Sequence, residues 1–231
     1  MGRRLDDAAL TRRMQRRLLR WYARHKRDLP WRRTSDPYHI LVSEIMLHQT
    51  QVDRVAPKFE QFIAKYPTVH ALAKAPLPAL KKIWRPLGYN YRPKRLRSIA
   101  RASIAKYNGR IPDRHEDLIA MDGVGRYTAG AILSFAYHQD APTLDTNVAR
   151  VLSRVFGVRG DVAKAPAQKR LWRLAADVIP TGQSSDFNQA MMDLGATICV
   201  ARKPRCPACS VRTSCRSSTL ARRHDIATSG R

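Results

Sequence analysis

Apolar residues recur every three or four positions along most of the chain. The stretch Leu5–Lys26 puts Leu10, Met14, Leu18, Trp21 and Tyr22 on one helical face and a run of arginines on the other, and the Leu29-Pro30 step ends it. Asp36-Pro37 opens a second helix, with proline at an early helical position, which runs through Ile40, Leu41, Ile45 and Leu47 to about Gln51. The same period predicts helices over Val52–Lys65, Leu72–Trp84, Pro93–Tyr107, His115–Met121, Arg126–Tyr137, Asp145–Phe156, Lys164–Val178 and Asp186–Ile198. Prolines and glycines punctuate them at Pro67, Pro76, Pro86, Gly88, Gly109 and Pro112. No segment alternates apolar and polar residues between hairpin turns, and no solenoid-length repeat occurs, so the expected fold class is all-α. From Arg216 onward the chain is polar and basic, and poor order is expected there.

A length of 231 residues fits one large domain or two small ones packed together. The 44% hydrophobic content is enough for a core and excludes global disorder. Charge changes the picture more: 43 Lys and Arg against 18 Asp and Glu leave a formal +25. A compact body so charged repels itself and suits a polyanionic partner, nucleic acid ahead of an anionic membrane surface or a ribosome-like assembly. No stretch approaches 18 apolar residues, and Met1–Arg27 lacks the apolar block of a signal peptide, so a cytosolic or nucleoid location is expected.

Two constellations carry chemistry. Cys199, Cys206, Cys209 and Cys215 follow a helix with the spacing C-x6-C-x2-C-x5-C. In a cytosolic chain these are metal ligands before they are disulfides. Zinc ribbons show two C-x2-C knuckles and this chain has one, so a [4Fe–4S] cluster held by four thiolates fits better than structural zinc. The loop also carries Arg202, Lys203, Arg205 and Arg212, which can face phosphates. The second constellation is Met121-Asp122-Gly123-Val124-Gly125-Arg126, between two short helices. Its glycines allow a tight turn, and the first amides of the following helix suit a phosphate oxygen. Downstream, Asp145 opens another helix, where an aspartate is ordinarily an N-cap.

Together the Gly123–Arg126 hairpin, Asp145 and the cysteine spacing resemble the helix-hairpin-helix DNA glycosylases related to endonuclease III, and within them the MutY-type adenine DNA glycosylases. Further matching stretches are Leu29-Pro30-Trp31-Arg32, Ser43-Glu44-Ile45-Met46-Leu47, Gln49-Thr50-Gln51-Val52, Leu87-Gly88-Tyr89, residues 123–136 and residues 187–196. The resemblance spans about residues 20–216. It implies a two-lobed fold with DNA across the groove between lobes and a C-terminal [4Fe–4S] loop. The lobes are a six-helix domain at 34–144, with its hairpin at about 115–137, and a cluster lobe at 145–216 joined by residues 1–33. A basic tail covers 217–231.

Residue by residue, the resemblance implies a flipped-out base and a monofunctional glycosylase acting as a monomer on double-stranded DNA. Glu44 matches the general acid, on an apolar helix that favours its protonated form. Asp145 matches the carboxylate that stabilises the oxocarbenium-like sugar, and Asn147 and Tyr127 match residues that position it. Endonuclease III carries its Schiff-base lysine where this chain has Tyr127, and tyrosine forms no imine. Trp31, Arg32, Leu47 and Gln189 match the base pocket, although Trp31 is equally a core anchor. Gln189 tilts the reading to adenine. Gln49, Thr50 and Tyr89, with Gly123, Val124, Gly125 and Arg126, match the DNA-contacting residues.

The chain departs from the MutY pattern at His48 (usually Gln), Pro86 (Gly), Asn90 (Tyr), Asp122 (Pro) and Thr146 (Gly). It also stops soon after the cysteines, where MutY proteins continue into a domain that helps recognise 8-oxoguanine. In size it resembles the short thymine–guanine mismatch glycosylases, which share the Tyr127 and Asp145 pattern. The expected function is therefore removal of adenine opposite guanine or 8-oxoguanine. Competing readings are thymine or uracil excision from T·G or U·G, a non-catalytic DNA-binding module, and a basic structural protein with a zinc staple.

Overall fold

The computed structural model describes residues 2–219, and among them there are helices and loops but no strand. Twelve α-helices follow in chain order: α1 Gly2–His25, α2 Pro37–Leu47, α3 Val52–Lys65, α4 Val69–Lys74, α5 Leu77–Trp84, α6 Arg92–Tyr107, α7 His115–Ile119, α8 Arg126–Phe135, α9 Thr146–Phe156, α10 Ala165–Asp177, α11 Ser184–Thr197 and α12 Arg216–Thr219. The contacts divide the chain into two compact units. One is Asp28–Tyr137; the other joins the segment up to Arg27 with the chain from His138 onward. The boundaries thus fall a few residues before those expected at 33/34 and 144/145. Of the tail expected at 217–231, residues 217–219 belong to α12, and 220–231 lie outside the described residues.

In the Asp28–Tyr137 unit, α2 is the central element. Asp36 caps it by accepting the Tyr38 amide at 2.7 Å, and Pro37 stands at its first position. Ile40 to Met46 are all buried, and the helix packs on α3, α6 and α8. A helix covered on all sides needs no amphipathic stripe. The Leu72–Trp84 stretch, read as one helix, is two. Ala75 adopts extended backbone (φ −61°, ψ 135°) because Pro76 follows it, and that stops α4 before α5 begins. The unit therefore holds seven α-helices, α2 to α8, where six were expected.

In the other unit α1 supplies Met14, Leu18 and Tyr22 to a core with Val148, Val151, Leu152 and Val155 of α9, Leu171 of α10, and Phe187, Met191 and Leu194 of α11. Each such side chain contributes about 1.5–3 kcal/mol when fully buried. Arg27 anchors the end of the N-terminal segment through a 2.7 Å ion pair with Asp193, whose side chain is wholly buried. Gly195 permits the close approach of α11 to α9: a Cβ there would stand 2.6 Å from Asn147 Cβ and 3.0 Å from its carbonyl oxygen.

Candidate functional site

Asp145 does what an N-cap does. Its Oδ1 accepts the Val148 amide at 2.7 Å, and extended backbone at Asp145 lets α9 start at Thr146. The other oxygen, Oδ2, accepts from Asn147 Nδ2 at 3.0 Å. Burial pushes the Asp145 carboxyl above its ordinary range, against the downward pull of these hydrogen bonds and of Arg150.

Sequence reading missed Arg150. It is 6% exposed, and its Nη2 donates to Asn147 Oδ1 at 2.7 Å and to the Gly195 carbonyl at 2.8 Å. Its Nε donates to the Cys199 carbonyl at 2.8 Å. One guanidinium thus links the Asp145–Asn147 pair, the last turn of α11 and the first cysteine. The only signal for it was its place five residues after Asp145, one arginine among many. Burial lowers its pKa, while the sulfur of Cys199 and the Asp145 carboxylate pull the other way.

The four cysteine thiols, all half-buried, line one cavity of about 390 Å³ together with Arg154 and Arg212. Arg154 Nη1 donates to Cys199 Sγ at 3.3 Å and to the Val200 carbonyl at 2.8 Å. Burial, with the neighbouring sulfurs adding, pushes the Cys209 thiol up to about 11, and Cys215 is raised for the same reasons. Among the described residues no three His, Cys, Asp or Glu side chains converge to hold a single metal ion. Gln189, half-buried on α11, accepts from the Tyr22 hydroxyl at 3.1 Å and donates to Ser185 Oγ at 3.1 Å. Tyr22, read only as a core residue of α1, is therefore also an orienting group.

In the Asp28–Tyr137 unit, Glu44 is 3% exposed, on the buried length of α2. Leu47 is half-buried at the end of α2, and Tyr127 is half-buried on α8, which packs on α2. Trp31 is 5% exposed and meets Phe59 edge-on at 5.6 Å, the arrangement of a core anchor, while Arg32 beside it is half-buried. His48 is half-buried, with Nε2 3.3 Å from Thr128 Oγ1, and burial with Arg92 and Arg95 nearby lowers its pKa. Gln49 and Tyr89 are exposed, and both adopt left-handed backbone, φ +55° and +49°. Thr50 is turned inward, where it accepts from Arg92 Nη2 at 3.0 Å.

The hairpin forms between α7 and α8. Gly123 has φ +91°, and a Cβ there would lie 1.9 Å from Arg95 Cδ, so only glycine fits. Gly125 and Arg126 are exposed, and Gly125 starts α8 with no side chain to cap it. Val124, expected among the DNA contacts, is 5% exposed, and its amide donates to the Met121 carbonyl at 3.0 Å, which closes the turn.

Residues 42–177 match the model of the HhH-GPD superfamily of base excision DNA repair proteins. The chain is 40% identical over 222 residues to an adenine DNA glycosylase of Homo sapiens, covering 92% of this chain and 41% of that one. It is 41% identical over 215 residues to an adenine DNA glycosylase of Mycolicibacterium smegmatis, covering 89% of this chain and 72% of that one. The chain thus spans about two-fifths of the human relative and most of the mycobacterial one. It also resembles the solved structure of a thermostable thymine-DNA glycosylase, with a TM-score of 0.85 at 33% identity, covering 92% of this chain and 98% of that one.

Proposed function

We infer that this chain, which belongs to the HhH-GPD superfamily of base excision DNA repair proteins, hydrolyses the N-glycosidic bond of adenine mispaired with guanine or 8-oxoguanine in duplex DNA. The observation that carries the reading is the Asp145 carboxylate, fixed at the head of α9 by the Val148 amide and by Asn147, itself held by Arg150. A carboxylate so oriented needs no rearrangement to meet a positive charge developing on a sugar.

Adenine leaves a deoxyribose poorly until its ring is protonated. Glu44, on the water-poor length of α2, donates that proton to a ring nitrogen. The C–N bond then breaks with its electron pair passing to the base, and Asp145 steadies the cationic sugar. Water adds at the anomeric carbon and gives up a proton, leaving an abasic site and free adenine. Tyr127 has no amine to form an imine, so strand cleavage does not follow. The Gln189 amide, oriented by Tyr22 and Ser185, offers one donor and one acceptor, the pattern an adenine edge pairs with. The net charge, Arg126 and the first turn of α8 suit the phosphates.

The four thiols are assigned to a [4Fe–4S] cluster. They line one cavity, and a spacing with a single C-x2-C knuckle suits a polynuclear group more than a lone zinc ion. Bound there through Cys199, Cys206, Cys209 and Cys215, such a group would pin the loop and would supply a one-electron redox centre. Arg154 and Arg150 hold Cys199 from the protein side.

The likeness to a thymine-DNA glycosylase along 98% of that chain favours a second reading, thymine or uracil excision opposite guanine. Duplexes bearing A·G, A·8-oxoG, T·G and U·G, treated with the chain and then with alkali, separate the two. Cleavage of the adenine strands is expected. Cleavage only of T·G or U·G overturns the adenine assignment, and binding with no excision from any duplex leaves a DNA-binding module.

A further inference from the structure

Arg92 is 1% exposed, yet no carboxylate is among its hydrogen-bond partners. Nη1 donates to the carbonyls of Ile45 at 3.1 Å, Met46 at 2.9 Å and His48 at 2.6 Å. Nη2 donates to Thr50 Oγ1 at 3.0 Å and to the carbonyls of Leu87 at 3.0 Å and Gly88 at 3.1 Å. The first set lies at the C-terminal end of α2, where carbonyls lack helical partners and a cation is favoured. In the second set Thr50 lies in the loop after α2, while Leu87 and Gly88 carry the guanidinium across to the loop that precedes α6. The guanidinium carbon also lies 5.2 Å from the Tyr89 ring centroid and 5.5 Å from that of Trp84. Arg54 adds a parallel tie to the Pro86 carbonyl.

The two loops so joined carry Gln49 and Tyr89, exposed side chains on strained left-handed backbone. Such backbone persists only where its surroundings over-determine it. A lysine could not replace the clamp, because a point ammonium cannot fork between two loops.

We propose that Arg92 is a positioning residue that locks residues 47–50 and 87–89 together, so that Gln49 and Tyr89 meet the duplex as one preformed wedge. Arg92 acts on extrusion of the nucleotide and leaves bond cleavage alone. The proposal rests on the glycosylase reading, because a wedge matters only where a base must leave the stack. A preformed wedge spares the ordering of two loops on binding.

The test compares wild type, Arg92→Lys and Thr50→Val on two duplexes, one with an A·G mispair and one with an unpaired, bulged adenine whose extrusion costs less. Single-turnover excision from the mispair should fall about a hundredfold in Arg92→Lys and about tenfold in Thr50→Val, as befits lost hydrogen bonds to a charged group. Excision from the bulge should change far less. Equal losses on both duplexes would assign Arg92 a general structural role and overturn the proposal. Amide hydrogen exchange of the DNA-free chain supplies the second readout. Faster exchange in Arg92→Lys, confined to residues 45–51 and 86–92, supports the clamp; unchanged exchange there overturns it. Should wild type excise from neither duplex, the adenine reading fails by itself, and the exchange measurement still decides the clamp.

Discussion

The two units of the chain each bury an arginine, and the difference between these arginines separates two kinds of work. Arg92 and Arg150 both donate to carbonyls at a helix C-terminal end, of α2 in one unit and α11 in the other. Arg92 otherwise holds loop backbone and Thr50, next to the exposed Gln49 and Tyr89. Arg150 holds a side chain, Asn147, which holds the Asp145 carboxylate. The first arrangement shapes a surface and the second orients a buried carboxylate, the one assigned above to the proposed reaction. A buried cation bonded mainly to carbonyls fixes backbone geometry wherever it stands, and what that geometry is for depends on the side chains one bond further out.

The comparison breaks most sharply at Asp145. Asp145→Asn keeps the cap but removes the negative charge, so excision should drop about a thousandfold or more while DNA affinity holds, which single-turnover assays and titration will show. Wild-type activity in that variant contradicts the assigned role. Next comes Arg150→Met. It strands the acceptors on Asn147, Gly195 and Cys199, and should cost about 3 kcal/mol in chemical denaturation as well as slowing excision of a bulged adenine. Arg92→Lys, by contrast, should spare that substrate. Gly195→Ala forces α11 away from α9, an expected loss of about 2 kcal/mol with Asn147 displaced, measurable as a lowered Tm and slower excision.

Two pH effects sharpen the same contrast. In the proposed mechanism Asp145 is ionised when it stabilises the sugar, and burial raises its pKa. Activity should therefore be lost, as pH falls, at a value above the ordinary 3.8, and the acid limb of kcat/KM reports it. His48 gives the smallest effect. Its pKa lies below the ordinary 6.5, so above that value neither the folded nor the unfolded chain holds the proton. As pH falls from there toward the lowered folded value, only the unfolded chain takes the proton up, and stability declines. His48→Gln should flatten that slope by a few degrees of Tm.

Helical periodicity made nearly every helix legible, because a buried stripe repeats locally. One exception is α12, whose polar and basic residues carry no stripe; the other, the break at Ala75-Pro76, turns on a steric rule that overrides an otherwise continuous stripe. The Asp145 cap and the gathering of the four cysteines around one cavity were legible because cap position and close cysteine spacing are local patterns. Arg92 and Arg150 were not. In a chain with 43 basic residues a solitary arginine reads as solvated charge, and the bonds that tie Arg92 to the end of α2 and Arg150 to Gly195 span more than forty residues. Tyr22 is the core residue its spacing predicted, and what could not be read was the reach of its hydroxyl to Gln189 far along the chain. The burial of Val124 was not legible for a different reason, since a hairpin motif names every residue in the turn without saying which of them face outward.

The most direct test of the account is to identify the product. The purified chain is incubated with an A·G duplex and the small molecules are separated chromatographically. Free adenine in step with an abasic, unbroken strand is the predicted result, absent in Asp145→Asn. No free adenine from wild type, or thymine released from a T·G duplex in its place, would contradict it.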